Sequence, residues 1–495
     1  MANQSISVSS GVSTKLFKLA LLILLSCLFI RICSLGLYPL MDTTEARYGE
    51  MARIMAESND WITPMFDYGV PFWGKPPMFT WLSGLGFEVF GVNEFAARLP
   101  HLLVGCLTLW VVWIFARSHL TASSDLATHL SRNEQSGQRL AWLAVAILAS
   151  TASFIIISGA VMTDAGLMLS VSLSMIAFWF SWKNGARYWG YLFFLGLALG
   201  MLTKGPLAIV LVGISLTIWL TLSANWKAFF RRYPYGNIPW LSGTLLFLIV
   251  SLPWYIAAEI KTPGFLDYFI VGEHVKRFLI SGWEGDLYGT AHKRPRGTIW
   301  LLWLSASLPW FPILFLQMFK LKKSPKINTS DRSLRIFLWS WLLAPLLLFT
   351  FSGNILWSYV LPGIPAMALL IVLNQQVLKL TAKHYVVGLV MPIALGLLVI
   401  AMALGFEVKS SEKNLLNTWR THSLSTELPL YYLNKRPFSG QFYSDGEAKI
   451  YTGDPAAMTE QYFMVSRKKS KHNTALQDQC EALTDNAKHT LWLCK

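Results

Sequence analysis

Charge is scarce in this sequence. Asp, Glu, Lys and Arg make up 14% of the 495 residues, where a soluble protein of this size carries roughly 25%. Apolar residues make up 54%, with 22 Trp and 30 Phe among the aromatics. So many large aromatics do not fit inside one soluble core, but they suit lipid contact and the aromatic belts of a bilayer interface. An ordinary soluble fold is excluded, and a polytopic membrane protein is expected. Several signatures are absent: no Walker A loop, no Gly-rich dinucleotide loop, no GxSxG elbow, no zinc spacing, no internal repeat and no low-complexity tract. No cofactor is firmly indicated, and a divalent metal is left open but not indicated. The formal charge of +15 would suit nucleic acid, yet the basic residues cluster in short loops between apolar runs. No nucleic-acid motif accompanies them.

Cysteine is also rare. Cys27, Cys33 and Cys106 lie in or beside apolar runs and read as packing residues, while Cys480 and Cys494 lie in the polar tail. If the tail is outside the cytoplasm, those two close a small loop by a disulfide, which is the favoured reading; if it is inside, they are two ordinary thiols.

What is present is a series of apolar runs long enough to span a bilayer. The first, 19–37, follows Lys15 and Lys18 and resembles a signal peptide, but no small-residue cleavage site follows it, so an uncleaved first span is expected after a short Ser-rich tail. Further runs lie near 97–117, 141–159, 165–182, 189–203, 205–223, 238–258, 298–319, 335–351, 358–374 and 384–404. The total expected is about eleven to thirteen. Loops around Lys18, Arg117, Arg132, Arg139, Lys183, Arg187, Lys227, Arg231, Lys320 to Arg335, and Lys379 to Lys383 are basic and acid-poor, hence cytoplasmic. The opposite loops and the tail are then extracytoplasmic. The expected organisation is a membrane domain over 1–405, with its first outer loop at 38–96, and a small α/β domain over 406–495. In that tail, 440–452 and 462–469 look strand-like.

The longest polar stretch between two apolar segments is 41–77, with six carboxylates, two arginines and one lysine. Asp42 and Glu45 are spaced as a capping box ahead of a helical pattern. The alternative is that one of them is a general base at the membrane surface, where a lipid-linked substrate presents its head group. Arg47 contacts phosphate or pairs with Glu50 on its own helix. In FWGKPP, two prolines hold the backbone extended and aim Lys75 at a phosphate, at lipid or at solvent. Asp164, in VMTDAG, is a carboxylate beside the membrane core, which is usually functional or paired, or else a helix N-cap. Lys204, in LTKGP, binds an anion or marks an interface. The loop 259–297 is the basic exception on the outer side. Its GEHVKRF stretch, with Glu273, His274 and Arg277, points to an anionic partner such as phosphate. With no nucleotide site, the energy for chemistry must come from the substrate itself, and a sugar activated on a lipid phosphate meets that requirement.

The run TEARYGEMARIM, then DWITP and WGKPP, resembles the first outer loop of the ArnT-like and protein mannosyltransferase-like GT-C glycosyltransferases. MTDAGL, LTKGPLA, EHVKRF, LPWFP and SGNILWSYVLPGIP follow in family order, so the resemblance covers about 15–375. It implies a GT-C fold with an outer active site and a soluble C-terminal domain. It implies a polyprenyl-phosphate sugar donor, undecaprenyl phosphate in bacteria, with Lys75, Arg277 and Tyr359 on the carrier phosphate. The family's two loop aspartates correspond to Asp42 and Asp164, and its T-K-G lysine to Lys204. Three positions depart from the pattern. Thr44 stands where the family's Asp precedes Glu, leaving Asp42 and Glu45 both open. Gly74 replaces a glutamate, and Ile355 replaces a lysine.

The expectation is therefore an inner-membrane glycosyltransferase with its N-terminus cytoplasmic and its tail periplasmic. Its catalytic candidates are Asp42, Glu45 and Asp164, and its phosphate-binding candidates are Lys75, Lys204, Arg277, Tyr359, Arg47 and His274. Its partners are a polyprenyl-phosphate-linked sugar donor, membrane lipids, and an envelope acceptor such as lipid A or lipopolysaccharide. The rival readings are transfer to protein or another envelope glycan, and a lipid-linked sugar flippase, which would need polar groups near the bilayer midplane.

Overall fold

The computed structural model describes residues 13–120, 130–183, 185–232, 237–289, 292–321, 329–378, 380–406, 410–423, 428–470 and 472–494. Most of the Ser-rich N-terminus and the basic residues Lys322, Lys323, Lys326 and Lys379 lie outside them. Six helices among the described residues are long and apolar enough to cross a membrane: Thr14–Ser34, Glu94–His119, Asp164–Trp182, Trp240–Lys261, Arg332–Thr350 and Ala382–Ala403. Thr298–Ala306 and Phe311–Leu321 make a further candidate as a pair bent by 107°. Gly137–Ala149, Leu207–Leu222 and Trp357–Leu373 are apolar but shorter.

Local chemistry explains where long runs divide. The run 141–159 stops at Ala149, where the Ser150 hydroxyl donates to the Ala146 carbonyl and that of Thr151 to Ile147. The run 298–319 breaks before Pro309, which has no N–H to carry a helix through. The Leu308 carbonyl instead accepts from the Ala152 N–H at 2.8 Å, and the Trp310 indole donates to Ser150 Oγ at 3.1 Å. Polar backbone freed inside an apolar body is thus satisfied by neighbouring helices.

Two compact units emerge from internal packing. The first comprises Met1–Cys33, Phe72–Met78 and Pro100–Gly396. At its centre is the helix Asp164–Trp182, apolar on every side and buried along nearly its whole length. Tyr188–Lys204 returns beside it, so Asp164 and Lys204 fall at the same end. Gly196 permits the approach: a Cβ there would lie 2.4 Å from Ser174 Oγ and 3.0 Å from the Ser170 carbonyl. Trp240–Lys261, by contrast, turns Leu241, Ile249, Ile256 and Ile260 outward, as a lipid-facing helix does.

The second unit comprises Ser34–Pro71, Phe79–Leu99 and Leu397–Lys495. A hairpin of β1 (Met65–Asp67) and β2 (Val70–Pro71) follows the helix Thr44–Ser58. The tail forms a five-stranded mixed sheet from β3 (Leu430–Leu433), β4 (Lys449–Tyr451), β5 (Tyr462–Arg467), β6 (Cys480–Asp485) and β7 (His489–Cys494), in the order β4-β3-β5-β7-β6. β3 runs parallel to β4 and β5, and β7 is antiparallel to β5 and β6. Strand alternation divides β5 between two cores. Phe463 and Val465 meet Leu415, Leu416 and Trp419 on one face, while Tyr462 and Met464 meet Leu476 and Trp492 on the other. The expected strand at 462–469 is present as β5, but 440–452 is mostly not extended. Pro437 stands before a short helix, Phe438–Tyr443, and only 449–451 forms a strand.

Cys480 and Cys494 lie opposite each other in the β6–β7 register and are joined by a disulfide. The bond spans 14 residues, a loop for which cross-linking contributes about 3 kcal/mol. Cys494→Ser is expected to lower the unfolding midpoint of the tail, and reductant to lower that of the wild-type protein to the same level. Equal midpoints with and without reductant would refute this contribution.

Candidate active site

In the first unit, Glu273 is the point at which cations gather. It lies on a π-helical segment, Asp267–Lys276, and its side chain is only 3% exposed. Lys75 Nζ donates to it at 3.1 Å and Arg277 Nη1 at 2.9 and 3.0 Å, while the Tyr268 hydroxyl lies 3.3 Å away. Burial alone would raise the Glu273 carboxyl. Lys75 and Arg277 outweigh it and hold the group below its ordinary value. Arg277 also meets Asp286 at 3.2 Å. Lys75 gives a second hydrogen bond to its neighbour's carbonyl, Gly74 O, at 2.6 Å. The Trp73 N–H donates to the Tyr288 hydroxyl at 3.1 Å, and its indole to Thr262 Oγ1 at the same distance. These bonds hold the WGKPP strand in place.

The two cations are held but not saturated. Arg277 commits one nitrogen, leaving Nε and Nη2 without a hydrogen bond among the described residues, and Lys75 retains a third N–H. Their side chains are 18% and 21% exposed. Asn354 fixes the end of the Arg277 segment by donating to the Arg277 and Ile280 carbonyls at 2.6 and 2.8 Å. Five residues on, Tyr359 carries a hydroxyl whose electrostatic neighbours are Arg277, Lys75, Asp164 and Glu273. Ile355, where the family has a lysine, is wholly buried.

Asp164 is not an N-cap: Thr163 holds that position, and the Asp164 carboxylate accepts from Lys204 Nζ at 2.7 Å. The Lys204 ammonium lies 4.8 Å from the centre of the Tyr359 ring. Its carbonyl faces His274 Nε2 at 3.1 Å, while His274 Nδ1 faces the Phe269 carbonyl at 2.7 Å. Burial holds the imidazole below its ordinary pKa, and both ring nitrogens are turned to backbone carbonyls. Gly205, at φ +71°, makes this turn, since a Cβ there would meet Phe269 at 2.6 Å. Asp164, Lys204, Tyr359, Arg277, Lys75 and His274 are thus brought into one group.

Asp42, Glu45 and Arg47 belong to the second unit. The capping box does not form: Thr43 precedes the helix Thr44–Ser58 and makes no side-chain cap. Both Asp42 oxygens accept from Ser439, one from its N–H at 3.1 Å and one from its hydroxyl in a short contact. Glu45 is gripped by Arg98, whose Nε and Nη2 lie 3.2 and 2.9 Å from its two oxygens. Arg98 is wholly buried and also donates to the carbonyls of Leu35, Tyr38 and Pro39 at 2.7, 2.7 and 2.9 Å. Glu50 pairs with Arg53, at 2.7 Å, rather than with Arg47, whose guanidinium lies 5.0 Å from the Tyr48 ring centre. Arg98 was legible as an ionisable residue inside an apolar run. Ser439 left no such signal. Among the described residues, no group of three or more His, Cys, Asp or Glu side chains is placed to hold a metal ion.

Apolar spans, a cluster of paired ions at the ends of helices and a C-terminal α/β region together define a multi-pass membrane protein of the GT-C class. The chain belongs to the dolichyl-phosphate-mannose-protein mannosyltransferase family, whose model matches residues 14–269. It is 29% identical over 361 residues to an undecaprenyl phosphate-alpha-4-amino-4-deoxy-L-arabinose arabinosyl transferase of Pseudomonas fluorescens, covering 69% of this chain and 56% of that one. A counterpart from Aeromonas hydrophila is 27% identical over 352 residues, covering 70% and 58%. The chain therefore spans little more than half the length of these curated relatives. In fold it is similar to the crystal structure of ArnT from Cupriavidus metallidurans bound to undecaprenyl phosphate, with a TM-score of 0.72 at 18% identity over 96% of this chain and 97% of that one.

Two outcomes follow from the ion pairs. Arg98→Ala leaves a carboxylate and three carbonyls without their donor, which costs about 3–5 kcal/mol. Arg98→Lys does not restore them, because an ammonium has three donors and no fork. Both variants are expected to lose the monodisperse peak in detergent size-exclusion chromatography, and a stable Arg98→Lys protein would contradict this. Because Glu273 is held below its ordinary value of 4.5, it stabilises the fold above that pH, and the stabilisation is lost as pH falls through the depressed folded value. The wild-type melting temperature should therefore decline below pH 4.5, while Glu273→Gln should give a lower but flatter curve. Parallel curves would argue against this role.

Proposed function

We propose that this protein is an integral inner-membrane glycosyltransferase that moves a sugar from polyprenyl phosphate, such as undecaprenyl phosphate, to an envelope acceptor such as lipid A or lipopolysaccharide on the periplasmic face. The observation that carries the reading is the half-committed pair Lys75 and Arg277, pinned by Glu273 with N–H donors to spare, and the Tyr359 hydroxyl in their field. A carrier phosphate gains negative charge as the glycosidic bond breaks. Fixed charged donors stabilise that change without reorganising. Lys204 is held by Asp164 over the Tyr359 ring, and His274 orients the turn that carries it. Arg47 remains a candidate for contact with an acceptor phosphate.

Of the two first-loop carboxylates, Asp42 is the better base. Glu45 is clamped at both oxygens by a guanidinium, which lowers basicity. Asp42 is held by neutral donors, and burial raises it above its ordinary value of 3.8. Asp42 would take the proton of an acceptor hydroxyl, whereas a phosphate acceptor is already anionic and needs orientation more than a base. Glu45 would position the loop through Arg98. We assign residues 1–405 to the catalytic membrane domain and 406–495 to a periplasmic domain, with the N-terminus cytoplasmic. The Cys480–Cys494 disulfide favours an oxidising compartment for the tail.

The test is mass spectrometry of envelope lipids and glycans from cells with and without the protein. Loss of one sugar mass from an acceptor, with accumulation of its polyprenyl-phosphate form, is expected. In reconstituted vesicles, Lys75→Ala and Arg277→Ala should lower transfer about a hundredfold or more. Asp42→Asn should lower kcat about a hundredfold to ten-thousandfold. Full activity of Asp42→Asn, Glu45→Gln and Asp164→Asn alike would overturn the site assignment. Movement of the labelled lipid across the bilayer without transfer would replace the enzyme with a flippase.

A further inference from the structure

We infer that the C-terminal region, acting through Ser439, positions the Asp42 carboxylate for the transfer reaction. The inference rests on the reading of Asp42 as the acting base, and it assigns a task to the part of the chain that the resemblance over 15–375 does not reach.

The observations are local to the second unit. Four anchors tie residues 40–42 to the tail. The Leu40 N–H donates to the Tyr443 hydroxyl at 2.7 Å, and the Leu40 carbonyl accepts from Ser411 Oγ at 3.0 Å. The Asp42 N–H donates to the Ser410 carbonyl at 3.0 Å. The Asp42 carboxylate takes one hydrogen bond at each oxygen from Ser439. Tyr443 in turn donates to Glu94 Oε1 at 2.9 Å, so its hydroxyl proton is committed and its oxygen is left to accept from Leu40.

Ser439 is itself oriented. Its Oγ accepts from the Glu412 N–H at 3.1 Å. A hydroxyl has one proton to give, and with that acceptor site occupied the proton is directed at Asp42 Oδ2. Glu412 cannot swing away. It is wholly buried, and its carboxylate is held by His489 Nδ1 at 2.8 Å, Asn486 Nδ2 at 3.1 Å and the Tyr432 hydroxyl at 3.3 Å. A chain of fixed groups thus runs from the tail sheet through Glu412 and Ser439 to the Asp42 carboxylate. Of the titratable groups facing Asp42, Glu412 opposes its negative charge and Tyr432 on β3 lies within its field. Burial raises the Asp42 carboxyl, Ser439 lowers it through both hydrogen bonds, and Glu412 raises it. Ser439 therefore opposes the effect of burial on the Asp42 carboxyl as well as aiming it.

A residue that merely stabilised the loop would lower the amount of folded protein without moving a pH limb. A residue that sets the ionisation of Asp42 moves it. The experiment measures initial rates of sugar transfer in isolated membranes that contain the native polyprenyl-phosphate donor and acceptor. Product is followed by mass spectrometry from pH 5 to pH 9, and rates are normalised to the folded protein recovered by size exclusion. Ser439→Ala is expected to lower the rate about tenfold at neutral pH and to shift the acidic limb to higher pH. Ser439→Thr, which keeps the hydroxyl, should restore both. Where Ser439→Ala does not fold, Ser439→Thr carries the test, and a displaced limb in that folded variant would overturn the inference. If Asp42→Asn is inactive while Ser439→Ala keeps the wild-type rate and limb, the positioning role is overturned and the Asp42 reading stands. If Asp42→Asn keeps the wild-type rate, the Asp42 reading itself fails, and this inference fails with it.

Discussion

A guanidinium withdrawn entirely from water costs several kcal/mol unless each N–H finds an acceptor. Arg98 meets that demand in full. Three of its hydrogen bonds go to the carbonyls of Leu35, Tyr38 and Pro39, and two go to Glu45. The chain leaving the first span has no regular structure there, and its carbonyls would otherwise be buried without partners. One side chain therefore sets the path of residues 35–39 and the start of the helix Thr44–Ser58, and with them the place of Asp42. The same economy appears in the first unit, where one buried carboxylate, Glu273, organises Lys75 and Arg277. In each unit a single buried charge is tolerable only because several groups close around it.

The two clusters differ in what they leave open. Around Arg98 every donor is spent, so the cluster is a structural lock. Around Glu273 the cations keep donors unspent and side chains partly exposed. That asymmetry separates a residue that holds a loop from residues able to take an anion. It also separates Glu45 from Asp42: one carboxylate is neutralised by a buried cation, and the other is held by neutral hydrogen bonds to Ser439.

Much of this was legible in the sequence, for identifiable reasons. Asp164 stood out because an ionisable group beside the membrane core is usually paired or functional, and it is paired with Lys204, which the sequence presented as an anion or interface contact. Lys75 was fixed in direction by the prolines that follow it. The disulfide followed from two cysteines close together in a polar tail. Reading failed where continuity of hydrophobicity stood in for helix length. Ser150, Thr151 and Pro309 break runs that composition alone presents as continuous, because hydroxyls that bond back to the helix and a missing N–H are backbone effects that hydropathy does not register. It failed again at Asp42 and Glu45, where a local capping rule lost to Ser439 and Arg98, partners too distant in sequence for a local rule to weigh.

The sequence by itself determined the solvent, the family and the chemical character of the loops between the apolar runs. Scarcity of charge, length of apolar runs and ordered motifs depend on nearest neighbours and are written directly in the chain. Only the tertiary structure decided which carboxylate is paired with a buried guanidinium and which is held by Ser439, that Glu273 joins Lys75 to Arg277, and that residues 40–42 are tied to the tail. Hydrogen bonds of buried polar groups are satisfied by whatever the fold brings within about 3 Å. A separation of 397 residues between Ser439 and Asp42 carries no trace of that distance in sequence.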